Sequence, residues 1–233
     1  MSEARESNLA IQTIGVGRVY QTGGHTVDAL KQIDLSIPVG RFVALKGKSG
    51  SGKTTLLNCI GGLDTPTHGE VLIHGQDISR LPEAGRIKWR QKEVGFIFQA
   101  FGLLPTLSVY ENIELMLRIA GVPRRERRGR TEEVIGRVGL GQWQGQRPYE
   151  MSGGQQQRVA IARALVTRPK LILADEATGE LDTQTTHEIL QLLSDVAKEQ
   201  QLTILLATHD GLVDGYVDEV VNLSNGRLQT RDV

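Results

Sequence analysis

A glycine-rich segment at residues 47–55 has the residue types and spacing of a phosphate-binding loop. It fits the pattern G-x-x-x-x-G-K-S/T, in which glycines let backbone N–H groups approach a phosphate closely. Lys53 would neutralise the β- and γ-phosphates, and the hydroxyl of Thr54 would bind Mg²⁺. We therefore expect a phosphate site made of Gly47, Lys48, Ser49, Gly50, Ser51, Gly52, Lys53, Thr54 and Thr55.

Two adjacent carboxylates, Asp175 and Glu176, follow the apolar run at residues 171–174. A fully apolar run of this length is typical of a parallel strand buried on both faces. Such a strand would place both carboxylates at its end, beside the phosphate loop. We expect Asp175 to hold Mg²⁺, directly or through water, and Glu176 to polarise the attacking water.

A second segment that suits an anion is Ser152-Gly153-Gly154 at the start of a predicted helix. It combines exposed N–H groups, a hydroxyl and the positive end of a helix dipole. The alternative interpretation of this segment is an ordinary helix cap. Tyr20 is similarly open to two interpretations, since a tyrosine at a strand end can pack or can offer its ring to a purine.

The spacing of apolar residues predicts alternating strands and helices. Strands are expected at residues 9–20, 29–37, 42–45, 69–74, 94–98, 171–174, 203–207 and 220–223, with a closing hairpin at Asn225-Gly226. Helices are expected at residues 56–60, 86–92, 109–120, 152–166 and 186–198. The pattern predicts an α/β fold with a mostly parallel sheet, an antiparallel β part at the start and an inserted helical part. In such a sheet the strand ends would bring together the loop at Gly47, Gln99, Asp175-Glu176 and His209.

The composition sets limits on the class of protein. The chain has 233 residues with 27 basic and 27 acidic side chains, so no overall field favours nucleic acid or anionic lipid. No apolar run approaches the roughly 20 residues that span a bilayer, and residues 1–8 contain no apolar leader. The single cysteine, Cys59, is expected to be a buried thiol.

Five arginines between residues 124 and 130 form the most basic segment of the chain. One interpretation is a surface for anionic lipid or nucleic acid. The other is a solvated helix face balanced by Glu126, Glu132 and Glu133, and the neutral composition favours it.

The stretch Met151-Ser152-Gly153-Gly154-Gln155, placed between a phosphate loop and an acidic strand end, resembles the signature motif of ATP-binding cassette (ABC) proteins. The resemblance covers nearly the whole chain. It implies that Tyr20 stacks on adenine, that Gln99 senses Mg²⁺ and the γ-phosphate, and that His209 contacts the γ-phosphate. It also implies that Asp182 lies in the loop that crosses a dimer interface, and that Ser152 to Gln155 bind the nucleotide of a second copy.

Within that family the chain is similar to the ATPase subunits of lipoprotein release and macrolide efflux. The residues that carry this similarity are Gly61-Gly62-Leu63-Asp64, Phe98-Gln99, Leu103-Leu104-Pro105 and Ala174-Asp175-Glu176. The sequence departs from the family pattern at four positions, which are Lys48, Met151, Ala177 and Glu180. None of these departures removes a catalytic group.

The resemblance implies one ABC domain over residues 1–233, with a RecA-like core at about 1–98 and 156–233 and a helical subdomain at about 99–155. It implies ATP and Mg²⁺ as ligands, a homodimer that closes around two ATP, and transmembrane permease partners. Its expected location is the cytoplasmic face of the plasma membrane, reached through those partners. The apolar residues Phe98, Phe101, Leu103 and Leu104 would either belong to the core or form an exposed docking site.

Two other functions belong to different classes. A regulatory ABC ATPase of the cell-division type acts on a membrane partner without moving a solute, and this sequence fits it as well. A DNA-repair cassette requires a long coiled coil or a basic groove, and the sequence has neither feature.

Overall fold

The computed structural model describes residues 8–229. The expectation that residues 1–8 contain no apolar leader therefore lies, except for Asn8, outside the described residues, as do the last four residues of the predicted domain. Within residues 8–229, no helix is both long enough and apolar enough to cross a membrane.

The first part of the chain forms a four-stranded antiparallel sheet. Its strands are β1 (Leu9–Thr22), β2 (His25–Pro38), β4 (His68–Ile73) and β5 (Gln76–Asp77), in the order β2-β1-β4-β5. Strands β1 and β2 are each 14 residues long and meet at a two-residue turn, Gly23-Gly24. The sequence predicted a longer loop here, with β2 starting at Ala29. Strand β2 instead begins at His25, because the two-residue turn allows His25 to pair with Thr22 on β1.

The second sheet has six strands in the order β10-β9-β3-β8-β7-β6. They are β3 (Phe42–Lys46), β6 (Val94–Phe98), β7 (Leu171–Asp175), β8 (Thr203–Thr208), β9 (Glu219–Ser224) and β10 (Arg227–Leu228). All its pairings are parallel except that of β9 with β10. The predicted fold class, an α/β protein with an antiparallel part at the start, is confirmed.

Six α-helices lie between these strands in residues 8–229. They are α1 (Lys53–Ile60), α2 (Glu83–Glu93), α3 (Val109–Ile119), α4 (Arg124–Arg137), α5 (Gly153–Leu165) and α6 (Thr183–Gln200). Helix α6 begins three residues before the predicted start, because the carboxylate of Asp182 accepts a hydrogen bond from the N–H of Thr185 and caps the helix there. Helices α3 and α4 lie within the predicted insertion, whose limits remain a prediction.

The six-stranded sheet is buried on both faces, and its side chains alternate between two cores. On β3, Phe42 and Ala44 face the core shared with α3, α5 and α6, whereas Val43 and Leu45 face the core shared with α1 and the antiparallel sheet. Cys59 is buried in the second of these cores, as predicted, and burial raises the pKa of its thiol to about 12. The two cores fix the sheet, and the sheet fixes the positions of the strand ends.

Arginines of the basic segment are paired on the surface of α4. Arg128 lies 2.9 Å from Glu132, and Arg130 lies 3.0 Å from Glu126. Both are i,i+4 pairs on one helix face. The arrangement agrees with the solvated helix face expected from the sequence.

Candidate active site

The phosphate loop connects β3 to α1 at the carboxyl edge of the parallel sheet. A side chain at Gly47 would collide with the carbonyl of Leu223. Gly52 has φ 108°, and a Cβ there would lie 2.7 Å from the carbonyl oxygen of Ala29. Gly47 therefore has no room for a side chain. At Gly52 only glycine combines this close packing with a left-handed backbone.

Lys53 begins α1 and turns back into the loop. Its Nζ donates to the carbonyl oxygens of Gly47 at 2.8 Å and Lys48 at 3.4 Å, and it lies 3.4 Å from Oε1 of Glu176. The side chain is 7% exposed. A buried ammonium group held by loop carbonyls is a fixed positive charge at the place where phosphates would bind.

Asp175 ends β7, and its carboxyl group faces Thr54. The Oδ1 atom of Asp175 is buried and has no hydrogen-bond partner among the described residues. Burial raises the pKa of this carboxyl group, a hydrogen bond with Thr54 opposes that rise, and the charge of Glu176 adds to it. A half-buried carboxylate with a buried, free oxygen beside a threonine side chain is an oxygen donor set that suits a hard cation.

Glu176 follows in a strained backbone conformation, with φ 48°. Its N–H donates to the carbonyl oxygen of Ala207 at the end of β8, which fixes the turn. The Nδ1 atom of His209 lies 3.0 Å and 3.1 Å from the two carboxylate oxygens. Because a non-glycine residue at positive φ costs free energy, the turn is a feature that the surrounding strands must enforce.

These groups line a cleft of about 890 Å³. The sequence-predicted residues in its lining are Ser49, Gly50, Ser51, Gly52, Lys53, Thr54, Thr55, Gln99, Glu176 and His209. Gly47, Lys48 and Asp175 are not part of the lining, and Gly47 and Lys48 give their carbonyl oxygens to Lys53. The structure thus brings together the four strand ends that the sequence placed at one edge.

A second wall of the cleft was missed by the sequence analysis. It consists of Val27, Asp28, Ala29 and Lys31 on β2 and of Asn225-Gly226 at the turn between β9 and β10. The N–H of Gly226 donates to the carbonyl oxygen of Ser51 at 3.0 Å, and the N–H of Lys31 donates to that of Gly226 at 2.7 Å. The Asn-Gly pair indicated a turn, but nothing local indicated that this turn supports the phosphate loop.

Tyr20 lies at the edge of the cleft and outside its lining. It pairs across the antiparallel sheet with Val27, which does line the cleft. The phenol donates to Asp64 at 2.7 Å, and the guanidinium of Arg18 covers the ring at 4.5 Å from its centre. Stacking of this ring on adenine remains a prediction.

Five other predicted residues also lie outside the cleft. Ser152 caps α5 by accepting from the N–H of Gln155, and the side chain of Gln155 accepts from the N–H of Ser152. Asp182 caps α6 by accepting from the N–H of Thr185. Ser152 and Asp182 are exposed. The structure therefore does not bring the group Ser152, Gly153, Gly154, Gln155 and Asp182 to the phosphate loop of the same chain.

An apolar groove of about 450 Å³ lies beside β6. Four large apolar side chains in its lining are 40% to 47% exposed, namely Leu63, Ile87, Phe98 and Ile119. Of the four apolar residues considered above, Phe98 and Leu104 are exposed, while Leu103 packs against the core. A contiguous apolar surface of this kind is typical of an interaction site.

The sequence model of the ABC transporter family matches residues 30–179. The chain therefore belongs to the ABC transporter family, and it is an ATP-binding ATPase of that family. The phosphate loop, the acidic strand end and the two-sheet fold described above agree with this membership.

Among its relatives, the chain is 44% identical to the lipoprotein-releasing system ATP-binding protein LolD 2 of Caulobacter vibrioides, over 94% of this chain and 96% of that protein. It is 44% identical to the macrolide export ATP-binding/permease protein MacB of Wolinella succinogenes, over 95% of this chain and 34% of that protein. The chain thus spans about a third of the length of MacB. The solved structure of the cassette MJ0796, a dimer in a post-hydrolysis state with ADP and Pi, is 39% identical, with a TM-score of 0.87, and the match covers 94% of this chain and 97% of that one.

Proposed function

We propose that this ATPase drives a transmembrane permease and that hydrolysis takes place in the cleft formed by the phosphate loop and the ends of β6, β7 and β8. The observation that carries the proposal is the convergence of Lys53 and Glu176, whose Nζ and Oε1 atoms are 3.4 Å apart at the phosphate loop. A fixed cation and a carboxylate base side by side are what transfer of a phosphoryl group to water requires.

In this proposal each cleft residue has a defined role. Lys53 and the loop N–H groups bind the phosphates, and Glu176 accepts the proton of the attacking water. His209 holds the carboxylate of Glu176 through its ring nitrogen and contacts the γ-phosphate. Gln99 lies next to Gly179, since its amide nitrogen would be 3.4 Å from a Cβ atom built on that glycine. In the proposal, Gln99 connects the γ-phosphate to the start of the helical subdomain.

Thr54, Asp175 and Gln99 are the proposed Mg²⁺ site. The fit is supported by the buried Oδ1 atom of Asp175, which lacks a partner in the described part of the chain. When bound, the ion would draw negative charge from the phosphate oxygens. The chain's own contribution is to hold the donor atoms in place, since Asp175 is fixed by β7 and Thr54 by the first turn of α1.

A complete site requires a second copy of the chain. Ser152 to Gln155 and Asp182 lie outside the cleft of their own chain, and Ser152 and Asp182 are exposed. In the proposed homodimer these residues contact the nucleotide held by the other copy's phosphate loop. The dimeric state of the cassette MJ0796 supports this arrangement.

The apolar groove is the proposed docking site for the permease. Leu63, Ile87 and Phe98 contribute to it from the proposed RecA-like core (about 1–98 and 156–233), and Met116 and Ile119 contribute from the proposed helical subdomain (about 99–155). An apolar segment of a partner that lies across this groove would contact both parts. A movement of the helical subdomain relative to the RecA-like core would then be transmitted directly to the bound partner segment.

We propose export or lipoprotein release as the process, because both relatives described above carry names of that kind. The ATPase would then lie at the cytoplasmic face of the plasma membrane, attached through its permease. Purification of the chain from native membranes would test this, since the permease should co-purify with it. Recovery of a membrane partner that has no transport pathway would favour regulation of the cell-division type instead.

Lys53→Ala is the direct test of the catalytic site. We expect ATP turnover to fall by about a hundredfold or more, because the charge that develops on the γ-phosphate loses its fixed cation. Lys170→Ala is the matched control, since Lys170 forms a surface pair with Glu93 at 3.1 Å. Turnover of Lys53→Ala close to that of Lys170→Ala would contradict the proposal.

A further inference from the structure

Arg18, Tyr20 and Asp64 form a polar cluster at the edge of the cleft, here called the Asp64 clamp. The carboxylate of Asp64 accepts from the phenol of Tyr20 at 2.7 Å and from Nε of Arg18 at 2.8 Å. Its other oxygen lies 2.8 Å from Nη2 of Arg18 and accepts from the N–H of Thr65 at 2.7 Å. Four donors thus hold one carboxylate that belongs neither to the phosphate loop nor to the acidic end of β7.

Arg18 makes a second contact within the Asp64 clamp. Its guanidinium lies over the ring of Tyr20, with 4.5 Å between Cζ and the ring centre. This distance is within the range of a cation–π contact. One face of the ring is therefore covered by a cation that Asp64 holds in place, and only the opposite face can receive another planar group.

Near neutral pH, Asp64 of the clamp is ionised and Tyr20 carries its proton. Burial alone would raise the pKa of Asp64, but hydrogen bonds from Tyr20, Arg18 and Thr65 outweigh it and hold the pKa below its ordinary value. Burial and the hydrogen bond to Asp64 raise the pKa of Tyr20, so the phenol keeps its proton. The donor and the acceptor are consequently both in the required state wherever ATP is hydrolysed at neutral pH.

Two neighbours place the clamp beside the cleft. Thr55, which lines the cleft, lies close enough to the phenol of Tyr20 to lower its pKa. Val27, the register partner of Tyr20 on β2, also lines the cleft and is 53% exposed. The ring therefore lies between the helix that follows the phosphate loop and an exposed apolar side chain.

We propose that Asp64 and Arg18 are positioning residues that hold Tyr20 as a preformed, one-sided platform for the nucleotide base. The inference depends on the proposed function, because it assigns a role to residues around the base of the same bound ATP. A platform of this kind selects for a base with a large π surface and not for particular hydrogen-bonding edges. Its benefit is that the ring needs no ordering when the nucleotide binds.

A purely structural role for Asp64 is the competing explanation. In that case the clamp would only tie β1 to the segment after α1, and its loss would weaken folding with no particular effect on the base. The two roles differ in one measurable respect. A positioning residue loses its effect on binding when Tyr20 is absent, whereas a structural residue does not.

The experiment measures binding of ADP and of inorganic pyrophosphate to the full chain by calorimetry, together with kcat for ATP hydrolysis. We expect Asp64→Asn to weaken ADP binding by about fivefold, as befits the loss of one charge-assisted hydrogen bond. Pyrophosphate, which has no base, should bind as it does to the wild type, and kcat should change by less than about twofold because only ground-state binding is lost. Tyr20→Phe, which keeps the ring and removes only the hydroxyl, should weaken ADP binding to a similar degree.

The decisive comparison is Asp64→Asn in a Tyr20→Ala background. If Asp64 acts through Tyr20, the double variant binds ADP as Tyr20→Ala does. Asp77→Asn is the matched control, since Asp77 is another half-buried carboxylate held by Ser79 and Arg80, on β5 at the far edge of the antiparallel sheet. It should leave ADP and pyrophosphate binding unchanged.

Three results would overturn the inference. Additive losses in the double variant would make Asp64 a structural residue, and so would equal weakening of ADP and pyrophosphate. Unchanged ADP binding in Tyr20→Ala would remove the platform itself, while the Lys53→Ala assay would still decide the proposed function independently. If Asp64→Asn fails to fold, Arg18→Met and Tyr20→Phe replace it, and unchanged ADP affinity in both would be equally decisive against the clamp.

Discussion

The Nζ atom of Lys53 lies 3.4 Å from Oε1 of Glu176, so the cation assigned to the phosphates and the base assigned to the water are ion-paired with each other. The same ammonium donates to the carbonyl oxygen of Gly47. A triphosphate carries more negative charge than one carboxylate and would compete for Lys53. Binding of ATP would therefore break the pair with Lys53 and leave Glu176, which already contacts His209, available to the attacking water.

This relationship predicts the behaviour of Glu176→Gln. The variant should bind ATP, because Lys53, Thr54 and Asp175 remain, but it should not hydrolyse ATP, because the base is lost. The intact γ-phosphate would then hold two copies together, and the variant should form a dimer that depends on ATP. Light scattering with ATP, and with ADP as the control, measures this change in mass.

A second substitution tests how that dimer is held. Adding Ser152→Arg to Glu176→Gln should abolish the dimer, since the added side chain would occupy the space proposed for the shared phosphate. Hydrolysis by Glu176→Gln at the wild-type rate would contradict the assignment of the base. A dimer that persists after the Ser152→Arg change would contradict the shared site.

Asp175→Asn should stabilise the protein in the absence of nucleotide while removing ATP hydrolysis. Asp175 is half-buried, its buried Oδ1 atom has no partner in the described structure, and its pKa is raised, so its charge costs free energy in the folded state. If removal of the charge raises the free energy of unfolding by about 1 kcal/mol, the melting temperature should rise by about 2–4 °C for a domain of this size. Thermal unfolding without nucleotide measures this, and a lower melting temperature would contradict the argument.

The Asp64 clamp predicts how stability depends on pH. The folded-state pKa of Asp64 lies below its ordinary value of 3.8, so its contribution is fully present above that value and is lost as the pH falls through the folded-state pKa. The difference in unfolding free energy between wild type and Asp64→Asn should therefore be constant above about pH 5 and shrink below it. Urea unfolding at a series of pH values gives this difference, and a difference that grows on acidification would show that the sign is wrong.

The apolar groove predicts a substitution that separates partner binding from folding. Ile87→Asp would put a charge among apolar side chains, so the membrane partner should no longer co-purify with the chain. Val39→Asp is a matched control, because Val39 is similarly exposed, at 38%, in a turn outside the groove lining. Both variants should melt near the wild-type temperature, since both side chains are on the surface. Equal loss of the partner in the two variants would argue against the groove.

The parts of the site that the sequence predicts are those that depend on local pattern. An apolar run followed by polar residues defines a strand end, so Gln99, Asp175 and His209 could be placed at one edge of the sheet before the structure was known. The limits of elements were less certain. The helix after Asp182 starts three residues earlier than predicted, because Asp182 accepts from the N–H of Thr185, a local cap that the apolar spacing alone did not indicate.

Contacts between distant segments could not be predicted from the sequence. Asp64 and Tyr20 are 44 positions apart, and no period or motif connects them. The same is true of Gly226 and Ser51, which meet only because β10 lies against β2. Such pairs follow from the packing of two sheets, and they determine which side chains surround a motif that is itself evident in the sequence.

The hydrogen bond from Gly226 to the carbonyl of Ser51 affects the order in which the protein can mature. The phosphate loop lies near the start of the chain, but one of its supports lies near residue 226, close to the end of the present sequence. On the ribosome, a nascent chain that has already exposed its loop would still lack this support until the β9–β10 turn emerges. Nucleotide could therefore meet a fully supported loop only after residue 226 has emerged, when all the strands that surround the cleft have also been made.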